Sequence, residues 1–244
     1  MKNQTKIVCK VMLSIFILTF TLNAAHATDW PTLRKKVATA YDNLYMGADD
    51  IVITLETIGK TPMGEMKSNA KQIWKSEKFR MENTMKVPMA GEVKTIFLFD
   101  GNDYWIFNPM SGKQKITNEE QYNTKENIWW RALPVNATIT GSENIDGRSC
   151  YVIEFPEGEN QTFDKMWIDK NKYIMVQGKK TQKGKEMLVK YSDFRKISEI
   201  NNQLYPYKTT ILTPEGTVSA TSEVKNIQVN TGIDDSLFNP DNLK

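Results

Sequence analysis

Residues 93–107 read VKTIFLFDGNDYWIF, two runs of β-branched and aromatic residues on either side of Asp100-Gly101. An Asp-Gly pair between two such runs predicts a β-hairpin. The first run is apolar on both faces, because Phe97 alternates with Ile96 and Leu98. A sheet with one face in water alternates polar and apolar residues more cleanly. The stretch therefore predicts antiparallel strands that are covered on both faces.

The alternating pattern of this hairpin continues through most of the chain. No Ser/Gly-rich linker interrupts it, so one domain on a single large antiparallel sheet is the simplest prediction. The predicted fold class is mainly β (α+β), with about 10–12 strands read from the sequence. The predicted strands are Ile51–Leu55 and a run ending at Lys75, then 79–87, 93–99, 104–107, 136–142, 148–155, 161–168, 173–181, 186–196, 205–213 and 217–229.

Two segments have the pattern of helices. In residues 29–47, apolar residues recur every three or four positions, Asp29 is a suitable N-cap and Pro31 lies in the first turn. Residues 118–133 begin with a polar capping pattern and end with apolar residues before Pro134, which predicts one short helix or two turns with a kink. We expect the two helices to cover one face of the sheet and to leave an apolar hollow beneath them.

The first 27 residues have the pattern of a secretory signal peptide. Three lysines precede an apolar run, Val11–Leu22, and residues 25–27 (Ala-His-Ala) form a small-x-small cleavage site. The apolar run is short for a membrane span, although an uncleaved N-terminal anchor is the alternative. The sequence thus predicts a cleaved signal peptide over 1–27 and a single mature domain over 28–244.

The residues left after cleavage exclude several classes of function. The mature chain has 29 basic and 29 acidic residues, so no overall positive charge attracts nucleic acid. Its only cysteine is Cys150, and the single histidine, His26, lies in the signal peptide. A Ser-His-Asp triad, a Cys-His dyad and a histidine-ligated zinc site are therefore impossible. The paired carboxylates, Asp49-Asp50, Glu119-Glu120 and Asp234-Asp235, are sequence neighbours on loops, which is poor evidence for glycosidase chemistry. We predict no enzyme, no cofactor and no metal.

Methionine and tryptophan are the side chains expected to line the hollow. Five of the ten mature methionines fall between residues 63 and 89. Methionine is flexible and polarizable, and suits a surface that must fit ligands of varying shape. Ordinary core packing is the alternative explanation for these residues.

Four segments resemble one known family. They are Gln72–Glu82, Ile96–Gly101, Tyr104–Pro109 and the closing Asp235–Pro240. Their order is similar to that of the periplasmic outer-membrane lipoprotein carriers, the Lol carriers, and their lipoprotein-sorting relatives. That family has a strand ending in a basic residue, an aromatic strand, then "DG…W…NP", and a closing Phe-x-x-Pro segment.

The resemblance implies a fold, a function and partners. The fold would be a large antiparallel sheet curled into an unclosed β-barrel, with helices as a lid over an apolar cavity. The protein would be a periplasmic carrier, expected to be a monomer, that binds acyl chains of a lipid or lipoprotein and delivers them toward the outer membrane. An inner-membrane donor and an outer-membrane acceptor would be its partners. The alternative is a sensor on the same scaffold that detects a lipid or lipoprotein and signals to a membrane partner.

The resemblance also suggests candidate site residues. Where the carriers have an Arg-Pro pair after the second strand, this chain has Lys75-Ser76, so Lys75 is the candidate lid latch. Lysine lacks the planar fork of arginine, and the substitution is not conservative. Phe79 matches the family's aromatic residue. The candidate lipid-binding residues are Ile53, Leu55, Trp74, Phe79, Met81, Met85, Trp105, Phe107, Trp129 and Trp130.

Overall fold

A computed structural model describes residues 28–61, 64–87, 91–117, 128–157, 163–182 and 184–243. The predicted signal peptide and residues 118–127 of the second predicted helix lie outside these ranges. Within them, no helix is long and apolar enough to cross a membrane.

The dominant element is one antiparallel sheet of thirteen strands. Two meanders, β1 to β6 and β7 to β13, are joined side by side where β1 pairs with β13. In the described residues, β6 and β7 are the two ends of the strand order, so the sheet is not closed. The strands are β1 (Asp50–Thr61), β2 (Gly64–Lys75), β3 (Lys78–Val87), β4 (Gly91–Phe99), β5 (Tyr104–Asn108), β6 (Gly112–Lys115), β7 (Thr138–Ile145), β8 (Arg148–Glu154), β9 (Lys165–Asp169), β10 (Met175–Gln182), β11 (Lys185–Ile197), β12 (Gln203–Leu212) and β13 (Val218–Val229).

This architecture confirms the mainly β prediction, with a correction to the strand count. Thirteen strands exceed the 10–12 expected, and β6 is the strand that the sequence pattern did not indicate. Its residues, Gly-Lys-Gln-Lys, carry no apolar alternation, and pairing with β5 makes them a strand. The β4–β5 hairpin forms as its Asp-Gly pair predicts. The Asp100 carboxylate accepts hydrogen bonds from the backbone N–H groups of Asn102 and Asp103, and Gly101 takes a positive φ of 106°.

Among the described residues, one α-helix, α1 (Trp30–Tyr45), covers one face of the sheet, which we call the inner face. The Asp29 carboxylate caps it by accepting from the Thr32 N–H at 2.8 Å. Leu33, Val37 and Leu44 are buried at helical spacing. The helix predicted over 29–47 is thus confirmed. The described end of the second predicted segment is not α-helical: residues 128–132 form tight turns in which the Arg131 N–H donates to the Ile128 carbonyl, as the turn alternative predicts.

The opposite face, which we call the outer face, is covered by the C-terminal segment, residues 230–243. Phe238 and Leu243 are buried there against Val52, Ile73 and Ile96. This segment covers the outer face of β4, whose Ile96 and Leu98 side chains are apolar. Around Val52, Ile73, Ile96 and Leu98 the sheet is therefore covered on both faces, which is why β4 lacks the alternation of a half-exposed strand.

Asp50 fastens the start of the C-terminal segment to β1. Its carboxylate is 2% exposed and accepts hydrogen bonds from Thr231, Gly232 and Ile233 at 2.7–3.1 Å. Burial alone would raise the pKa of Asp50, but the hydrogen bonds from Thr231, Ile233 and Gly232 outweigh it and hold the pKa below its ordinary value.

Replacing Asp50 with alanine is expected to lower the free energy of unfolding by about 1.5–3 kcal/mol at pH 7, since three backbone donors lose a charged acceptor. Because the folded pKa is depressed, this contribution is present above the unfolded pKa of about 4 and is lost as pH falls through the folded pKa. Denaturant unfolding of both proteins at pH 7 and pH 3 measures it. A difference that stays the same at both values would contradict the role of the ionised carboxylate.

Candidate ligand-binding site

A cavity of about 120 Å³ lies between α1 and the inner face of the sheet. Its walls come from the C-terminal half of α1, from β1 and β11–β13, and from the loop before β10. Aromatic and aliphatic side chains dominate, and Thr209 and Ser222 add two aliphatic hydroxyl groups on the strands. The lining residues are Tyr41, Leu44, Tyr45, Leu55, Trp129, Ile174, Met175, Tyr191, Phe194, Leu204, Tyr205, Pro206, Tyr207, Thr209, Ser222 and Val224.

Tyrosines give the cavity an apolar wall with polar tips. Burial raises the pKa of Tyr41 and Tyr45 well above the ordinary value, and raises that of Tyr205 to about 12. All three are therefore neutral at physiological pH. The Tyr41 hydroxyl accepts a hydrogen bond from the Met175 N–H at 3.1 Å, which connects α1 to the sheet across the cavity.

An aromatic layer of Tyr45, Trp130, Trp74 and Phe79 continues the cavity wall toward β3. Ring centroids are 5.0 Å apart for Tyr45 and Trp130, 4.7 Å for Tyr45 and Trp74, and 4.4 Å for Trp74 and Phe79. Trp74 and Phe79 face each other because they are paired in register on β2 and β3. The layer closes the space under the end of α1 with apolar surface.

The described part of the predicted lid, residues 128–134, is bound to α1 by three side chains. Trp130 Nε1 donates to Asp42 at 2.8 Å, and Trp30 Nε1 donates to the Pro134 carbonyl at 2.9 Å. Arg131 bridges Asp42 of α1 at 2.9 Å and Glu77 of the β2–β3 turn at 2.8 Å. Hydrogen bonds from Arg131 to Glu77 and Asp42 raise the pKa of its guanidinium, which remains a cation.

Most of the residues predicted from the sequence lie on the inner face, although few line the cavity itself. Leu55 and Trp129 are in its wall. The others pack around it in the inner-face core: Ile53, Trp74, Phe79, Met81 and Trp130. Met85 shares the inner face of β3 with Met81 by strand alternation, nearer the β3–β4 end, and is half-buried.

Three predicted residues lie on the outer face instead. Trp105 and Phe107 pack with the C-terminal segment, because β5 presents its odd-numbered residues to that side. Lys75 alternates with Trp74 and also points outward, where its Nζ donates to the Ile233 carbonyl at 2.6 Å and lies 3.4 Å from Asp235. Lys75 thus contacts the C-terminal segment, and the described cation that joins residues 128–134 to α1 and to the β2–β3 turn is Arg131.

The tyrosines of the cavity and the wall that β11–β13 supply were not among the residues predicted from the sequence. Tyr41 and Tyr45 are four residues apart on α1, and Tyr205 and Tyr207 are two apart on β12. These spacings place each pair on one face and are a signal that the sequence did carry. Their meeting depends on the pairing of β1 with β13, which joins the two meanders and is not visible in the local pattern.

The described residues show no arrangement for metal chemistry. No group of three or more His, Cys, Asp or Glu side chains within them is placed to hold a metal ion. Cys150 is fully buried, and burial raises the pKa of its thiol to about 11, so it is protonated and packs as a small apolar group.

Comparisons with known proteins identify the fold. A family model described as "Uncharacterized protein" matches residues 133–244, which is less than half of the chain. No curated protein sequence matches.

Among solved structures, a domain from Vibrio parahaemolyticus named for outer membrane lipoprotein sorting aligns with a TM-score of 0.63 and 13% identity, covering 86% of this chain and 97% of its own. A DUF1329-family protein from Desulfovibrio piger aligns with a TM-score of 0.64 and 13% identity, covering 88% and 98%. The chain therefore has the fold of the lipoprotein-sorting protein domains that its sequence resembles.

Proposed function

We propose that the protein is a periplasmic carrier that binds the acyl chains of a lipid or lipoprotein under α1 and delivers them toward the outer membrane. The observation that carries the proposal is the cavity between α1 and the inner face, walled by neutral tyrosines and aliphatic side chains. The fold shared with a domain named for lipoprotein sorting supports the same ligand class. The signal-peptide pattern supports the periplasm, and no catalytic step is part of the proposal.

The energetics of an acyl chain explain why such a carrier needs a covered apolar site. Each methylene removed from water contributes about 0.8 kcal/mol, so a chain of about sixteen carbons represents roughly 10 kcal/mol. It will not cross an aqueous compartment without a protein that buries it. A wall of aromatic and aliphatic groups provides this burial without a specific chemical bond.

The size of the cavity implies that α1 moves when the ligand enters. A cavity of about 150 Å³ holds one benzene molecule, and the space under α1 is about 120 Å³. A whole acyl chain therefore fits only if α1 and residues 128–134 lift from the sheet and open the aromatic layer. The bridge from Arg131 to Asp42 and Glu77 must break in that step.

Arg131→Gln is expected to raise the rate of acyl uptake by about two- to fivefold. The Arg131 side chain is 36% exposed, and half-exposed ion pairs contribute only about 0.2–1 kcal/mol each. Stopped-flow mixing of the protein with a fluorescent fatty acyl probe measures the rate. Salt should accelerate the wild type and leave the variant nearly unchanged, because screening weakens the same ion pairs. Equal rates and equal salt dependence would contradict the bridge as a barrier to opening.

Delivery is tested with vesicles. Inner-membrane vesicles loaded with a radiolabelled acyl lipid serve as the donor, and outer-membrane vesicles as the acceptor. The proposal predicts transfer that increases with the concentration of residues 28–244 and saturates with donor lipid. A protein that takes up the label but never releases it, and that instead binds a membrane protein only when loaded, would contradict the carrier and match the sensor.

A further inference from the structure

The indole N–H of Trp74 is a buried hydrogen-bond donor that finds no acceptor among the described residues. Trp74 is 4% exposed. In the part of the chain that the structure describes, no acceptor lies within hydrogen-bonding distance of its Nε1. Four other tryptophans contrast with it: Nε1 of Trp30, Trp105, Trp130 and Trp167 each donates to an oxygen at 2.8–2.9 Å. An unpaired buried donor is costly, and proteins rarely keep one without a reason.

The position of Trp74 connects this donor to the ligand. Trp74 lies on the inner face, in the aromatic layer, against Tyr45, which also lines the cavity. Trp130, another member of the layer, lies nearby, with its ring centroid 6.1 Å from that of Trp74. Lifting α1 and residues 128–134 removes Tyr45 and Trp130 together, and the Trp74 indole then forms part of the opened floor.

Charges around the layer decide which acceptor fits. Along β2 and β3, the described cations Lys75, Lys78 and Arg80 point to the outer face, where they contact residues 233–237. Arg131 is paired with two carboxylates in the closed protein, and it moves away from Trp74 with residues 128–134 when α1 lifts. A free carboxylate would therefore lose its hydration beside Trp74 without gaining a cation, which is expensive. An ester carbonyl is neutral and accepts without donating, so it matches a single N–H donor in apolar surroundings.

We propose that Trp74 Nε1 donates a hydrogen bond to the ester carbonyl of a bound acyl chain, and that the site therefore selects acyl esters over alkanes and free fatty acids. The inference rests on the proposed function, which supplies the acyl chain. It adds the chemical group that is recognised and the atom that recognises it. Before the ligand binds, the Trp74 donor has no acceptor among the described residues, and the ester carbonyl of the ligand supplies one.

The test compares three probes that share a twelve-carbon chain: methyl laurate, laurate and dodecane. Each displaces a fluorescent alkyl probe from wild type, Trp74→Phe and Trp167→Phe, all as residues 28–244. Trp167 is the matched control, because it lies on the outer face and its Nε1 donates to Glu143 at 2.8 Å. The ratio of ester to dodecane affinity is compared between proteins, which cancels differences in probe solubility.

Trp74→Phe is expected to lower the ester-to-dodecane ratio by roughly three- to tenfold, the value of one hydrogen bond. Trp167→Phe should leave the ratio unchanged. Wild type should bind methyl laurate more tightly than laurate. In the unliganded state, Trp167→Phe should lower the denaturation midpoint more than Trp74→Phe, since only Trp167 gives up a hydrogen bond.

A second readout observes the donor directly. With ¹⁵N-labelled protein, the indole N–H resonance that is absent from Trp74→Phe should shift downfield with methyl laurate and not with dodecane. An equal loss of affinity for ester and dodecane in Trp74→Phe would overturn the assignment and leave Trp74 as packing. Wild type that binds neither probe would instead overturn the proposed function.

Discussion

Replacing Trp130 with alanine is expected to lower the free energy of unfolding by about 3–5 kcal/mol, the range for a fully buried aromatic residue. Trp130 is 1% exposed and packs against Tyr41, Tyr45 and Trp74. It also donates to Asp42 of α1. Trp130 combines ring packing against both α1 and β2 with a hydrogen bond to α1, so its loss leaves a cavity and a broken hydrogen bond together.

Urea unfolding followed by circular dichroism measures the effect. Trp130→Phe is the matched control, because it keeps an aromatic ring in the layer and loses the bond to Asp42, and it should cost less than half as much as Trp130→Ala. Equal stabilities for wild type and Trp130→Ala would contradict the packing of residues 128–134 against α1.

Val224→Trp is expected to reduce acyl-probe affinity by at least tenfold, the largest effect on binding that we predict. Val224 lies in the cavity wall opposite Leu55 on β1. An indole at this position occupies space that the ligand needs. Since it enters an existing cavity, its cost in stability should stay within the about 1–3 kcal/mol of ordinary overpacking.

Asn226→Trp provides the control for this variant. Asn226 is on the same strand, pairs with Thr54, and is exposed on the outer face. The Asn226→Trp variant adds the same side chain outside the cavity and should leave the affinity for the acyl probe unchanged. Titration of both variants with a fluorescent fatty acyl probe makes the comparison. Full affinity in a folded Val224→Trp protein would place the ligand elsewhere.

The sheet could be predicted because local alternation and turn residues specify it. In the hairpin around Asp100-Gly101, the residues that form the turn and the apolar residues of both strand faces are close together in the sequence. The same pattern gives the phase of each strand, so neighbours such as Trp74 and Lys75 point to opposite sides. It says nothing about which side carries the helix, and this is why Trp105 and Phe107 were grouped with the inner-face residues.

Contacts between distant segments decided the rest. Arg80 alternates away from Phe79, and strand periodicity alone would leave its charged side chain at the surface. It is nevertheless 5% exposed, because the C-terminal segment covers it and accepts its hydrogen bond at the Leu237 carbonyl. Tyr205 meets Tyr45 only because β12 and α1 pack together across 160 residues of sequence. Periodicity within one element cannot reveal such a meeting.

Lipid analysis of the purified protein tests the central claim most directly. Residues 28–244, secreted to a bacterial periplasm through residues 1–27 and purified without detergent, would be extracted with organic solvent and examined by mass spectrometry beside native mass spectra of the intact protein. The account predicts an acylated species bound in stoichiometric amount to the wild type and lost from Val224→Trp. A wild-type protein that carries no lipid and fails to take up a fluorescent fatty acyl probe would contradict it.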